Sequence, residues 1–145
     1  MHKSIALVAL LGFVGAVSAA DKPMSDQLLY GKMCGICHLE AGQGIPGAFP
    51  PLDARLAEWA ATDGGQAYLV NVMVNGLYGP IDVNGVSYVG AMPGLADQLS
   101  SEEIAGLLNF VLVTFAGGEA VFDTARVDDL RAANGRAQSS GLRPK

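Results

Sequence analysis

The chain has 145 residues, half of them hydrophobic, with 14 acidic and 9 basic side chains and a net charge of −5. That length suits one small domain with a limited apolar core. The acidic balance argues against nucleic acid or an anionic membrane surface as a partner.

The N-terminus reads as an export signal. Lys3 supplies the positive charge, residues 5–17 are apolar or small, and Ser18-Ala19-Ala20 precedes polar Asp21-Lys22-Pro23. The apolar run is shorter than the roughly 20 residues a membrane span takes. The expectation is a signal peptide over residues 1–20, cleaved near Ala20, and a periplasmic protein. An uncleaved anchor is the alternative. No cysteine stands at the cleavage point to take a lipid. Removing Lys3 leaves 8 basic against 14 acidic residues in the mature chain 21–145, a net charge of −6.

Ser25 is an N-cap for a helix running to about residue 35, with Asp26 in its first turn. Residues 41–53 are rich in glycine and proline and read as loop. Residues 53–61 read as a short helix carrying Trp59. Residues 66–77 place Tyr68, Leu69, Val72, Met73 and Leu77 at helical spacing. Residues 79–94 read as loop, their alternation too brief for a hairpin. Ser100 and Glu103 form an S-x-x-E capping box, opening a helix through about residue 115 that Gly117-Gly118 ends. Residues 124–133 form a shorter amphipathic helix using Val127 and Leu130, and 138–145 read as a loose tail. The expectation is an all-α protein, with one domain over 21–116 and an extension over 117–145.

An expectation of haem comes from Cys34-Gly35-Ile36-Cys37-His38, the C-x-x-C-H attachment signature for c-type haem. Cysteines three positions apart lie about one helical turn from each other. Both sulfurs can then add to the vinyl groups along one edge of a porphyrin. The histidine that follows is carried beneath the ring, where its imidazole binds iron. Three other readings compete. A thioredoxin-type dithiol sits between a strand and a helix of a βαβ unit, and no such pattern surrounds these residues. A closed zinc site takes four ligands, and the chain has two cysteines and two histidines, one of them His2 in the expected signal peptide. A disulfide suits an exported protein but gives His38 no role. Iron then needs a sixth ligand or an open position. Met24 precedes the first helix, Met33 adjoins Cys34, and Met73 fits a core helix face. Met92 lies in Gly90-Ala91-Met92-Pro93-Gly94, where small neighbours allow close approach and proline stiffens the backbone. Met92 is the expected second axial ligand.

These residues resemble the small monohaem class I cytochromes c. Tyr30, four positions before Cys34, looks like the aromatic that packs the N-terminal helix on the C-terminal one, and Phe110 looks like its partner. Pro50 stands twelve residues after His38, and Leu52 follows, as in that family's loop. The stretch from Gly42 to Leu52 is similar to bacterial c-552 proteins of the Thermus type, which also carry a C-terminal extension. Asp26 departs from the pattern, since many members have a glycine there at the helix crossing. The resemblance implies three to five helices around one covalent haem c, an imidazole hydrogen bond to the Pro50 carbonyl, and His38 and Met92 holding iron from both sides. Phe49, Leu52, Trp59, Leu69, Met73 and Leu108 are pocket candidates, and the Tyr88 hydroxyl is placed to reach a haem carboxylate.

The function expected is single-electron transfer in a respiratory chain, not catalysis. Its partners would be redox proteins: a quinol-oxidising complex on one side and a terminal oxidase or reductase on the other. A haem subunit of a periplasmic sulfite or alcohol dehydrogenase is the alternative reading. A haem enzyme or gas sensor would need an open sixth position, against which Met92 argues. The haem edge is expected to be rimmed by Gly35, Ile36, Gly44, Ile45, Ala91 and Pro93.

Overall fold

A computed structural model describes residues 24–144. The expected signal peptide, its cleavage near Ala20, and His2 lie outside the described residues. Among these, no helix is long and apolar enough to cross a membrane.

Helix α1, Asp26–Met33, starts where the Ser25 hydroxyl accepts from the Leu28 N–H. It buries Leu29 and Tyr30 against the helix Ser101–Thr114. That helix opens with the expected capping box, Ser100 and Glu103 satisfying each other's backbone N–H. The two helices cross where Gly106 has no side chain. A Cβ there would lie 2.9 Å from the Asp26 Cγ. The glycine of this crossing is thus on the C-terminal helix, which accommodates the departure at Asp26.

Tyr30 closes the crossing. Its ring centroid is 5.4 Å from that of Phe110 and 5.0 Å from that of Phe115. Its hydroxyl donates to the Leu39 carbonyl at 2.7 Å. Burial pushes the phenol up to about 12, so the fold holds it neutral. A raised value means the stabilisation is complete below pH 10 and is lost as pH climbs from 10 towards 12. Tyr30→Phe should be less stable at neutral pH by about 1 kcal/mol for the lost hydrogen bond. It should also lack the part of the alkaline loss that Tyr30 causes. Denaturant midpoints recorded from pH 7 to 12 check both. Curves for the two proteins that stay parallel to pH 12 would remove Tyr30 from the explanation.

Next come α2, Gly35–His38, then α3, Arg55–Ala60, and α4, Asp63–Asn75. Thr62 caps α4 by accepting from the Gly65 N–H at 3.1 Å. Glycine ends α4 at Gly76, whose φ of +81° and ψ of −179° fall in a region essentially reserved for glycine.

The all-α expectation needs correction. Residues 77–92 form an antiparallel hairpin, β1 Leu77–Val83 and β2 Val86–Met92, with Val83 paired to Val86. Asn84 and Gly85, both at positive φ, make the two-residue turn that fits the strand twist. Paired residues share a face, so Leu77, Ile81 and Val83 stand with Tyr88 and Met92 on one side, and Gly79 faces Gly90. Tyr78 and Val89, on the other side, are exposed. Pro80 pairs with Val89, a position that bonding alternation leaves without a ladder hydrogen bond, so its missing N–H costs nothing. Met92 therefore ends a strand and does not lie in a loop.

Helix α5 is Ser101–Thr114, α6 is Thr124–Asn134 and α7 is Ser139–Leu142. The described residues thus hold seven helices, two of them four residues long, where three to five were expected. Asn109 ties down the link to α6, accepting from the Val121 and Phe122 N–H groups and donating to the Phe122 carbonyl at 2.7 Å. Val127 and Leu130 are buried as expected, and α6 packs on α4 and α5. The tail is not loose. Ser139 is 4% exposed, and the Asn71 amide donates to its hydroxyl at 2.8 Å and to the Ala137 carbonyl at 3.0 Å.

Candidate haem site

Cys34 ends α1 and precedes α2, and the amides of Cys37 and His38 return to its carbonyl at 3.1 and 2.9 Å. That single turn sets the spacing of the two thiols and the imidazole. No disulfide joins the two cysteines, Cys34 being buried and Cys37 partly so. Burial pushes the Cys34 thiol up to about 11, keeping it protonated at neutral pH. The His38 Nδ1 lies 2.9 Å from the Pro50 carbonyl. A carbonyl only accepts, so Nδ1 carries the hydrogen and Nε2 keeps its lone pair. Burial also holds His38 below the usual imidazole range.

Two adjoining apolar hollows open beside this turn. Both are lined by Cys34, His38, Pro50, Leu77, Ile81 and Met92. The outer hollow adds Cys37, Phe49 and Tyr88. The inner one adds Leu52, Trp59, Leu69, Met73 and Leu108. Each expected anchor, axial ligand and pocket residue thus borders one or both of these hollows. Met33 reaches only the outer hollow and Met73 only the inner one, whereas Met92 borders both. Of the expected rim, Ile36, Ile45, Ala91 and Pro93 are exposed and Gly35 half-buried, but Gly44 is buried. Its N–H bonds to the His38 carbonyl at 3.0 Å, which turns it inward.

Sequence reading missed the hairpin wall, Tyr68 and Arg55. The pair Gly79 and Gly90 on the inward face leaves the wall bare beside Met92, and a Cβ at Gly79 would meet nothing within 4 Å. Tyr68 is 3% exposed and meets Trp59 edge-on at 5.2 Å. Burial raises its hydroxyl, while Arg143 and Arg55 act the other way. Arg55 Nε and Nη1 are buried with no hydrogen-bond partner among the described residues.

These residues fit a haem. The cleft is apolar, it is bordered by two cysteines and by an imidazole whose Nε2 keeps its lone pair, and its inner end holds buried guanidinium nitrogens of Arg55 and Arg143 with no hydrogen-bond partner among the described residues. Among the described residues no group of three or more His, Cys, Asp or Glu side chains is gathered to hold a bare metal ion.

Comparison with known proteins agrees. The family model described as cytochrome c oxidase, cbb3-type, subunit III matches residues 22–111. Cytochrome c-552 of Thermus thermophilus is 44% identical over 137 residues, covering 91% of this chain and 88% of that one. A second Thermus thermophilus cytochrome c-552 sequence is 44% identical over 104 residues, 68% of this chain and 79% of the other. The cytochrome c subunit of the quinone alcohol dehydrogenase of Gluconacetobacter polyoxogenes is 33% identical over 125 residues, 86% of this chain but 25% of that subunit. Fold, cleft and comparisons together define an electron-transfer protein with covalently bound haem c, not an enzyme. The chain belongs to the cytochrome c family.

Proposed function

We propose that this monohaem carrier works in the periplasm, with Cys34 and Cys37 as the covalent anchors of the haem and His38 and Met92 as its axial ligands. Its donor would be a quinol-oxidising complex and its acceptor a terminal oxidase or reductase. The bound haem supplies a one-electron iron couple. The chain's residues do the rest. Pro50 orients the His38 ring through Nδ1, leaving Nε2 for the metal. Strand pairing with Leu77 and the following Pro93 hold Met92 at the cleft. The hairpin and α5 supply apolar walls that exclude water, which together with a thioether ligand raises the reduction potential. The observation that carries this reading is the 2.9 Å bond from His38 to Pro50 in a cleft that Met92 also borders. The periplasmic assignment is supported by the sequence of residues 1–20 and by the chemistry of haem attachment outside the cytoplasm.

The expected haem edge lies among exposed Ile36, which is 76% accessible, Ile45, Ala91 and Pro93. An apolar rim makes contacts that are short-lived and only weakly screened by salt. Stopped-flow reduction by the natural donor should therefore change little between low and physiological ionic strength. A steep fall in rate with salt would overturn docking through this rim. The alcohol dehydrogenase relative supports the second reading, a haem subunit bound to a dehydrogenase. Copurification with a dehydrogenase from the native periplasm would favour that reading over a free carrier.

A further inference from the structure

Nothing in Pro50 itself fixes the carbonyl that orients His38. Pro50 and Pro51 have no N–H to donate, so the hold on this stretch comes from the residues around it. Residues 42–52 fold back on themselves as a small closed loop. The Leu52 N–H donates to the Gly42 carbonyl at 2.7 Å, and the Ile45 N–H donates to the Phe49 carbonyl at 2.8 Å. Between these two rungs Gly44 faces Phe49 and Pro50. A Cβ on Gly44 would collide with the Phe49 carbonyl oxygen. It would also lie 2.7 Å from the Pro50 carbonyl oxygen and 2.8 Å from the Pro50 carbonyl carbon. These are backbone atoms, which no rotamer change moves aside.

The same glycine is tied to the histidine. Its N–H donates to the His38 carbonyl at 3.0 Å, and the His38 Nδ1–H donates to the Pro50 carbonyl at 2.9 Å. His38, Gly44 and Pro50 thus close a ring of three contacts, and the third of them is the bare Cα of Gly44 against Pro50. A left-handed turn at φ +63° would by itself account for a glycine. It does not account for the close approach of the one carbonyl that the imidazole uses.

We infer that Gly44 is a positioning residue for the iron ligand: its missing side chain sets the length of the His38–Pro50 hydrogen bond, and with it the donor strength of the imidazole. The inference rests on His38 binding iron through Nε2. A short bond from Nδ1–H to an acceptor makes the ring the more basic ligand, and a more basic ligand favours the oxidised iron. Gly44 is fastened to the backbone of His38, so a Cβ on it drives the 49–50 stretch away from the turn that carries both. The bond to Pro50 then lengthens, and the reduction potential rises.

The test compares Gly44→Ala with Gly47→Ala in the full-length holoprotein. Both place alanine at positive φ, +63° and +77°, so both carry the same kind of backbone strain. A collision is added only in Gly44→Ala, since a Cβ at Gly47 meets nothing within 4 Å. At a fixed applied potential, Gly44→Ala should move the oxidised-to-reduced ratio roughly three- to tenfold towards the reduced form, the worth of one hydrogen bond. In the reduced protein the Nδ1 hydrogen of His38 should exchange faster with solvent. Gly47→Ala should lose stability to its strain while the ratio and the Nδ1 exchange keep their wild-type values. Equal shifts in both variants, or a destabilised Gly44→Ala with an unchanged potential, would show that Gly44 serves the turn alone. If Gly44→Ala does not fold, the wild-type reduced protein decides. Its Gly44 amide and His38 Nδ1 hydrogen should open to exchange together, and an Nδ1 hydrogen that exchanges while the Gly44 amide stays protected overturns the inference. A wild-type protein whose pyridine haemochrome spectrum lacks the covalent haem signature would instead overturn the haem reading beneath it.

Discussion

Met92→Leu should abolish the methionine–iron charge-transfer band, open the iron to carbon monoxide and lower the reduction potential. Leucine is the informative replacement because it nearly conserves volume, and such exchanges typically cost less than about 1.5 kcal/mol. The fold then survives, and the spectrum reports ligation alone. Met92→Ala should give the same spectrum with an added stability loss from the space it leaves, towards the lower end of about 2–5 kcal/mol because the residue is only partly buried. Removing a thioether ligand lowers the potential because methionine favours the reduced iron. An unchanged band in Met92→Leu would sink the assignment. Attention would then pass to Met73, which borders the inner hollow from α4 and whose carbonyl accepts from the Leu95 N–H at 2.8 Å.

The parts of the fold that could be read from the sequence are those written in local signals. Ser25, Ser100 with Glu103, and the periodicity of Ile104, Leu107, Leu108, Val111 and Leu112 act within a few residues, so α1 and α5 appear close to where spacing puts them. The hairpin was obscured because Gly79, Pro80, Gly85 and Gly90 dilute its alternation. Its Asn84-Gly85 turn, a strong hairpin signal when flanked by Val83 and Val86, was present and was the clue to use. The tail was illegible for a different reason. Its order depends on Asn71, which reaches Ser139 across 68 positions, and no local pattern encodes such a pairing. The same holds for Arg55. An arginine near an aspartate reads as an ordinary surface pair, and only the folded chain turns its Nε inward beneath Trp59. The candidate residues at the cleft's mouth were legible because C-x-x-C-H sets Cys34, Cys37 and His38 together by spacing. The cleft's wall was not, because a wall made of two facing glycines has no side chains to notice.

Gly76→Ala should detach Met92 from its position before it unfolds the protein. The residue ends α4 with φ +81° and ψ −179°, where any side chain carries strain on the order of 1–3 kcal/mol. The space is also taken. A Cβ at Gly76 would collide with the Met92 carbonyl, and it would lie 2.8 Å from the Gly94 nitrogen and 3.0 Å from the Pro93 carbonyl carbon. These are backbone atoms that cannot rotate away, so relief requires the segment carrying Met92 to move. A Cβ at Gly94 would in turn meet the end of α4, 2.9 Å from the Asn75 carbonyl carbon. The two glycines interlock the helix end with the strand end. Moving that segment lengthens the reach of the Met92 sulfur while the core between α1, α4 and α5 keeps its packing. Denaturant titration should therefore separate two transitions in Gly76→Ala, with the charge-transfer band fading before the far-ultraviolet dichroism. The band should already be weaker at zero denaturant. A full band that vanishes together with the helical signal would show that Gly76 ends a helix and nothing more.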